Sequence, residues 1–229
     1  MLDEGCGLAV ENTMITHSPE VREKLEQLGI PVLVERSSYE ESPLGRVEWI
    51  KLYGLLTGTL EQAEAFFQES VQQVQSVQKE TQQQNGQAPT VVFFYFTSSG
   101  YANVRTPHDY IAQMIRQAGG SYAFTDEELG DQGSRSTVNM DLEQFFAVAK
   151  EADFLIYNST VEGELASLDA LLEKSPLMKD CKAVQSGNVW CTGQNMFQQV
   201  SGTAEMISDL HAVFSGDTAA PLNYLYRLQ

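Results

Sequence analysis

Cysteine is scarce in this sequence: Cys6, Cys181 and Cys191 are the whole set in 229 residues. None falls in a Cys-x-x-Cys pair, so structural zinc and thioredoxin-type exchange lack their usual spacing. Cys181 and Cys191 flank Ser186-Gly187-Asn188 and are near enough in sequence to meet across a turn; two buried free thiols is the plainer expectation. Positive charge is also in short supply. Lys and Arg total 14 against 31 Asp and Glu, a formal net charge of -17. Nucleic acid and anionic membrane each demand basic contacts, so neither is an expected partner. The three histidines, His17, His108 and His211, are dispersed. None shares an element with a second histidine or carboxylate at ligand spacing, so no direct metal site is expected. No apolar run approaches the roughly 18 residues that cross a bilayer, and direct membrane insertion is not expected. Met1-Leu2-Asp3-Glu4 carries acids where a signal peptide needs bases, so an export signal is not expected within these residues. Gly-x-Ser-x-Gly, Gly-x-x-x-x-Gly-Lys and a Gly-x-Gly-x-x-Gly after a strand are all missing. The expectation is a protein with no catalytic residues and no cofactor, not an enzyme.

Apolar residues make up 42% of the chain, enough for a packed core. From Leu8 to Ile15 the sequence reads as a strand. Ser18 and Pro19 then open a helix with Val21, Leu25 and Leu28 at helical spacing, closed by Gly29. Ile30 to Val34 is a continuous apolar run of the kind buried on both sheet faces. Strand, helix, strand of this length implies a right-handed parallel crossover. Glu35 to Arg46 reads as the loop at the carboxyl end of the second strand, where open parallel sheets place ligands. A helix from Val47 carries Ile50, Tyr53 and Leu56 on one face and ends at Gly58. Thr59-Leu60-Glu61-Gln62 resembles a capping box. The helix it opens places Leu60, Ala63, Phe67, Val71 and Val74 at spacings of three and four, with a later Gln-rich part facing solvent. It runs to about Gln84, roughly 37 Å at 1.5 Å per residue.

Beyond the boundary at Asn85-Gly86-Gln87-Ala88-Pro89 the pattern alternates. Strands are expected at Val91–Phe96, Phe154–Tyr157 and Asn188–Cys191. Helices are expected from Pro107, from Asp141, around Leu165–Leu172 and from Thr203 to Phe214. The fold class is therefore α/β: two lobes with mainly parallel sheets joined by a single long helix. The parts are 1–58, a partial amino-terminal lobe, 59–85, the interlobe helix, and 86–229, the carboxy-terminal lobe. One strand-helix-strand unit buries little core, so the amino-terminal lobe reads as incomplete. Residues upstream of Met1, or a homodimer through that lobe, are the expected ways of completing it.

Glu11-Asn12-Thr13-Met14-Ile15, the segment Gly29 to Lys51 with its Pro43-Leu44-Gly45-Arg46-Val47-Glu48-Trp49-Ile50 core, Ser136 to Asp141, Tyr157-Asn158-Ser159-Thr160 and Gly187 to Thr192 together resemble the solute-binding proteins of ABC importers for iron-siderophore, haem or cobalamin. The resemblance runs over nearly the whole chain and lies in the order of these segments. It implies a ligand held between two lobes, an extracytoplasmic (periplasmic or cell-surface) location, a small-molecule metal chelate as cargo and an ABC permease as partner. The family also carries about half a lobe more before the position of Met1, and a lipoprotein signal. A permease-docking glutamate of the second lobe would fall near Phe197, where Gln198 and Gln199 stand. The alternative function is a truncated, non-transporting relative that acts as an interaction or sensory protein.

Candidate ligand-binding residues follow from their positions near strand ends. Arg36 and Arg46 suit anionic groups of a chelate. Arg105 precedes a helix amino terminus, which favours anions. Tyr39, Tyr101, Tyr157 and Trp190 offer aromatic faces to a flat chelate or macrocycle. A loop brace for Arg46, a salt bridge for Arg36 and core packing for the aromatics are the competing readings. Thr97-Ser98-Ser99-Gly100 and Ser136-Thr137 read as turn and capping residues, and Met196 as a cleft or packing residue.

Overall fold

A computed structural model describes residues 5–83, 86–130, 133, 135–196, 199–217 and 221–229. Packing divides the chain into two compact units, Met1–Glu40 and Glu41–Gln229. In the first, strand β1 (Ala9–Glu11) and strand β2 (Val32–Val34) pair in parallel, with Ala9 opposite Val32 and Glu11 opposite Val34. Helix α1 (Pro19–Gln27) makes the crossover that the Ser18-Pro19 start implies. Gly29 supplies the left-handed turn after it, at φ +76°. Two expectations change here. The segment after Asn12 is a 3-10 helix, Thr13–His17, because the Asn12 side chain accepts from the Met14 N–H and turns the chain. Strand β2 is half-buried along its length instead of buried on both faces, since it has one sheet neighbour and α1 buries no residue.

In the second unit, helix α2 (Pro43–Glu48) starts earlier than the pattern suggests. Ser42 caps it by accepting from the Gly45 N–H at 3.2 Å, with Pro43 at the first position. Arg46 therefore stands on a helix, not in a loop. Helix α3 (Ile50–Thr57) ends at Gly58 in the left-handed conformation, and the long helix α4 (Leu60–Gln83) follows. Gly54 lets α3 lie against α4: a Cβ there would meet the Ala63 Cβ at 2.6 Å. The buried positions of α4 are Ala63, Ser70, Val74 and Val77. One side of its later part is held against the core through Val74 and Val77, with Gln73 Nε2 donating to Ser208 Oγ at 3.0 Å, while Gln72, Gln75, Gln82 and Gln83 face solvent as the Gln-rich pattern implies.

A seven-stranded sheet forms the core. Its strands are β3 (Thr90–Phe96), β4 (Ala102–Arg105), β5 (Ser121–Tyr122), β6 (Thr137–Met140), β7 (Phe154–Tyr157), β8 (Val189–Thr192) and β9 (Leu225–Arg227). The order is β6-β4-β3-β7-β8-β9, with β5 also pairing with β3. The centre, β5, β3, β7 and β8, is parallel; β4, β6 and β9 add antiparallel flanks. The parallel centre agrees with the continuous apolar runs. The flanks escaped the sequence pattern because β4 and β6 carry Asn103, Arg105, Thr137 and Asn139 among their few apolar residues. Helices α5 (Tyr110–Gln117), α6 (Asp126–Leu129), α7 (Leu142–Ala149), α8 (Ser159–Glu162), α9 (Leu168–Lys174), α10 (Lys182–Ser186) and α11 (Thr203–Ser215) complete the unit. Helix α5 begins at Tyr110, not at Pro107, because the Asp109 carboxylate caps it through the Ile111 N–H at 3.0 Å. Phe94, at the sheet centre, packs on Phe145 of α7 at 4.8 Å and edge-on to Tyr157 at 5.7 Å. Cys181 and Cys191 are buried free thiols, and Cys6 is a half-buried one.

Candidate functional site

Helices α2 and α5 bring the candidate Arg46 against Tyr110, an aromatic residue outside the candidate set. The Arg46 guanidinium carbon lies 3.6 Å from the centre of the Tyr110 ring, a close cation–π contact. One turn before α5, Arg105 closes β4. Its Nη1 is 3.7 Å from Asp109 Oδ2, and its guanidinium lies 6.0 Å from the Phe93 ring. Tyr122 holds the Arg105 backbone from both sides: its hydroxyl donates to the carbonyl at 2.8 Å and accepts from the N–H at 3.0 Å. Sequence reasoning set Arg46 and Arg105 some sixty residues apart with nothing between them. The antiparallel turn from β3 into β4, and the packing of α2 against α5, make them neighbours of one carboxylate.

The electrostatics of this cluster follow from burial. Burial pushes the Asp109 carboxyl above the ordinary carboxylate range, against the opposing pull of Arg105, the Ile111 N–H and Arg46. Burial likewise raises the Tyr110 phenol to about 12, with Arg105 and Arg46 pulling the other way. Tyr122, wholly enclosed, is driven far higher by the same cause. Tyr110 and Tyr122 therefore hold their protons, and the cluster offers fixed positive charge and phenolic hydrogen-bond donors.

Beside Arg46 and Tyr110 lies a cavity of about 90 Å³. Met114, Met196 and Met206 give it polarisable apolar walls, and Thr203 and Gln199 add polar atoms. Met196 follows the carboxyl end of β8, so the cavity lies by the strand tips where open α/β sheets place ligands. Tyr110, Asp109, Met114 and Met206 were not singled out from the sequence. Tyr110 and Met114 were absorbed into the apolar face of a helix. Asp109 carried a usable signal, because aspartate just before an apolar helical run is a preferred cap.

The remaining candidates lie elsewhere. Arg36, exposed, precedes the 3-10 turn Ser37–Tyr39 of the first unit, and Tyr39 is 68% exposed. Tyr101 is exposed at the β3–β4 turn, where Thr97 Oγ1 accepts from its N–H and donates to its carbonyl, as a turn residue should. Tyr157 and Trp190 sit in the sheet core. Tyr157 is registered with Phe94 and Cys191, and Trp190 with Ile156, so the two project from opposite faces. Among the described residues, the Tyr157 hydroxyl and Trp190 Nε1 are buried with no hydrogen-bond partner. Phe197 and Gln198 lie outside the described residues; Gln199 accepts from the Tyr224 hydroxyl at 3.0 Å. Among the described residues, no group of three or more His, Cys, Asp or Glu is placed to hold a metal ion, and no helix is long and apolar enough to cross a membrane.

Comparison with known proteins bears on this arrangement. Residues 11–196 match the family described as periplasmic binding protein. An uncharacterized lipoprotein of Methanocaldococcus jannaschii is 29% identical over 192 residues, which is 83% of this chain and 44% of that protein. The chain spans less than half the length of the relatives it matches by sequence. Among solved structures, a periplasmic heme binding protein from Pseudomonas aeruginosa superposes with a TM-score of 0.73 at 17% identity, over 97% of this chain and 77% of that one. A TroA-like periplasmic binding protein, FepB, from Veillonella parvula gives 0.69 at 14% identity, over 100% and 74%. At these identities the structural likeness is one of fold alone, an α/β fold shared with these two proteins. The match over most of its length settles the lineage: the chain belongs to the periplasmic binding protein family.

Proposed function

We propose that this protein is the solute-binding component of an ABC importer and captures a chelated iron compound, a ferric siderophore or a related macrocycle such as haem or cobalamin. The observation that carries the reading is the pairing of Arg46 and Tyr110 in the wall of a cavity also lined by Met114, Met196 and Met206. A guanidinium stacked on an aromatic ring has a fixed orientation and a permanent charge, which suits an anionic group on an otherwise apolar ligand. At about 90 Å³ the cavity takes an arm of such a ligand rather than its body, since whole ligands of that size occupy several hundred Å³.

In this reading Arg46 and Arg105 form the charged centre, and Arg36, Tyr39 and Tyr101 are further contacts. Tyr157 and Trp190 act through packing, in keeping with their burial. Residues 1–58 belong to an amino-terminal lobe, 59–85 to a connecting helix and 86–229 to a carboxy-terminal lobe. The family match and the lipoprotein relative support an extracytoplasmic location and delivery to a permease. Fluorescence titration tests the reading, with Trp49, three residues beyond Arg46, and Trp190 as reporters. A ferric hydroxamate siderophore, haemin and cyanocobalamin form the panel. Saturable quenching by one of them is expected; a folded protein that responds to none of the three overturns the reading.

A further inference from the structure

Gln199 stands in the cavity wall with one end of its amide already engaged. Its Oε1 accepts from the Tyr224 hydroxyl at 3.0 Å. The backbones of both residues are held. The Gly202 N–H donates to the Gln199 carbonyl at 2.9 Å, and Asp209 of α11 accepts from the N–H groups of Asn223 and Tyr224 at 2.7 Å each. Gly202 leaves the hydroxyl its room, since a Cβ there would collide with it. The direction of the Tyr224–Gln199 bond decides what faces the cavity. A buried phenol needs an acceptor for its proton, and among the described residues Gln199 Oε1 is the acceptor it has. Burial, with Glu205 and Asp209 near, raises the Tyr224 phenol above its ordinary range, so the proton stays on the ring oxygen. Turning the amide over would set Nε2 against the hydroxyl and leave that proton without a partner. Held this way, Gln199 keeps two N–H donors on Nε2, and among the described residues neither has a partner.

We propose that Gln199, turned by Tyr224, is a specificity-determining hydrogen-bond donor of this cavity, which therefore takes a ligand arm ending in an oxygen acceptor: a carboxylate, a hydroxamate or an amide carbonyl. This rests on the reading that a ligand arm enters the cavity. The neighbouring side chains do not duplicate the role. Thr203 Oγ1 gives its proton to the Val200 carbonyl at 2.7 Å, and the thioethers of Met114, Met196 and Met206 have no proton to give. A guanidinium such as that of Arg46 favours an anion, whereas a neutral amide N–H reads an acceptor whether or not it carries charge. Tyr224 does not line the cavity; it acts through Gln199 and is a positioning residue.

The experiment titrates acetate and N,N-dimethylacetamide by NMR at constant ionic strength and neutral pH. Both probes accept hydrogen bonds and donate none, and acetate alone is charged. The Gln199 side-chain amide signal is assigned by its loss in Gln199→Met. That signal should move downfield as either probe is added, and Gln199→Met should weaken both probes by about fivefold, the scale of one lost hydrogen bond. Tyr224→Phe keeps the ring and the backbone contacts with Asp209 and removes the hydroxyl alone, so the fold should be preserved. It should weaken both probes by about threefold, and adding it to Gln199→Met should weaken neither further. Tyr226→Phe is the control: it deletes a hydroxyl bonded to the Leu165 carbonyl and Cys191 Sγ, neither of which lines the cavity, and should leave both affinities within about twofold. A Gln199 signal that stays still while a probe saturates, unchanged affinities in Gln199→Met, additive losses in the double variant, or an equal loss in Tyr226→Phe overturns the proposal and leaves the pocket assignment standing. Saturation by neither probe in the parent protein overturns both.

Discussion

Strand β2 and strand β7 are written in nearly the same alphabet, Val32-Leu33-Val34 against Phe154-Leu155-Ile156-Tyr157, and they end in different surroundings. Strand β7 pairs on both sides, with β3 and β8, and Leu155, Ile156 and Tyr157 are wholly buried. Strand β2 has one neighbour and stays half-buried throughout. An apolar run specifies a strand, but the number of layers around it decides how much water it sheds. In the second unit, helices cover the sheet and the aromatic cluster of Phe94, Phe145 and Tyr157 fills its centre. In the first unit, α1 buries no residue, and Met14, Val21 and Leu28 remain exposed.

The contrast is broken or sharpened most directly by paired truncations. Phe93→Ala, at a position 1% exposed, should cost about 3–5 kcal/mol of stability, whereas Leu33→Ala should cost about 1 kcal/mol or less. Equal losses in urea unfolding would erase the distinction between the two regions. Glycines offer a second comparison. Gly202 has no room for a side chain, because a Cβ would fall 1.7 Å from the Tyr224 hydroxyl. Gly202→Ala should therefore cost about 1–3 kcal/mol by forcing Tyr224 aside. Gly29 has open space and needs only its left-handed backbone, so Gly29→Ala should cost nearer 1 kcal/mol. Thermal melts of the two variants would rank them.

Binding gives a third test. Arg46→Ala should weaken the ligand identified by titration by more than about 1 kcal/mol, the scale of a lost charge-assisted hydrogen bond. Arg36→Ala, in the less enclosed unit, should weaken it less. Unchanged affinity in either variant removes that residue from the site. The smallest effect concerns acid stability. Burial would raise the Asp153 carboxyl, but hydrogen bonds from Lys182 Nζ at 2.6 Å and the Thr90 N–H at 2.8 Å outweigh it, and the group titrates below its ordinary range. A depressed carboxylate stabilises the fold above its unfolded pKa, and that contribution is lost as pH falls through the folded value. Asp153→Asn should therefore flatten the acid limb of the stability profile below about pH 4, leaving its shape near neutrality unchanged. Urea midpoints measured from pH 2.5 to 7 would show whether it does.

The site was less legible than the fold. Arg46 and Arg105 are legible as arginines near strand or helix ends, but a helix start at Val47 leaves Arg46 in a loop, whereas the Ser42 cap and Pro43 put it on α2. Tyr157 and Trp190 were legible as aromatic residues at strand ends and nothing more. Alternation along a strand fixes that neighbours face opposite ways, but which residue of β8 lies opposite which residue of β7 depends on register, and no local pattern in either strand encodes it.

Local chemistry in the sequence determined the elements: the crossover of the first unit, β3, β7 and β8, α5, α7 and α11, the turn at Thr97–Tyr101, and a strongly acidic chain. These follow from side-chain periodicity, capping and charge, which act over a few residues. Tertiary structure alone decided that one side of α4 lies on the core along its later turns, that polar β4 and β6 widen the sheet, and that Arg46 stacks on Tyr110. Each of those depends on contacts between residues far apart in the chain, whose energies appear only once the layers have closed and water has been expelled from between them.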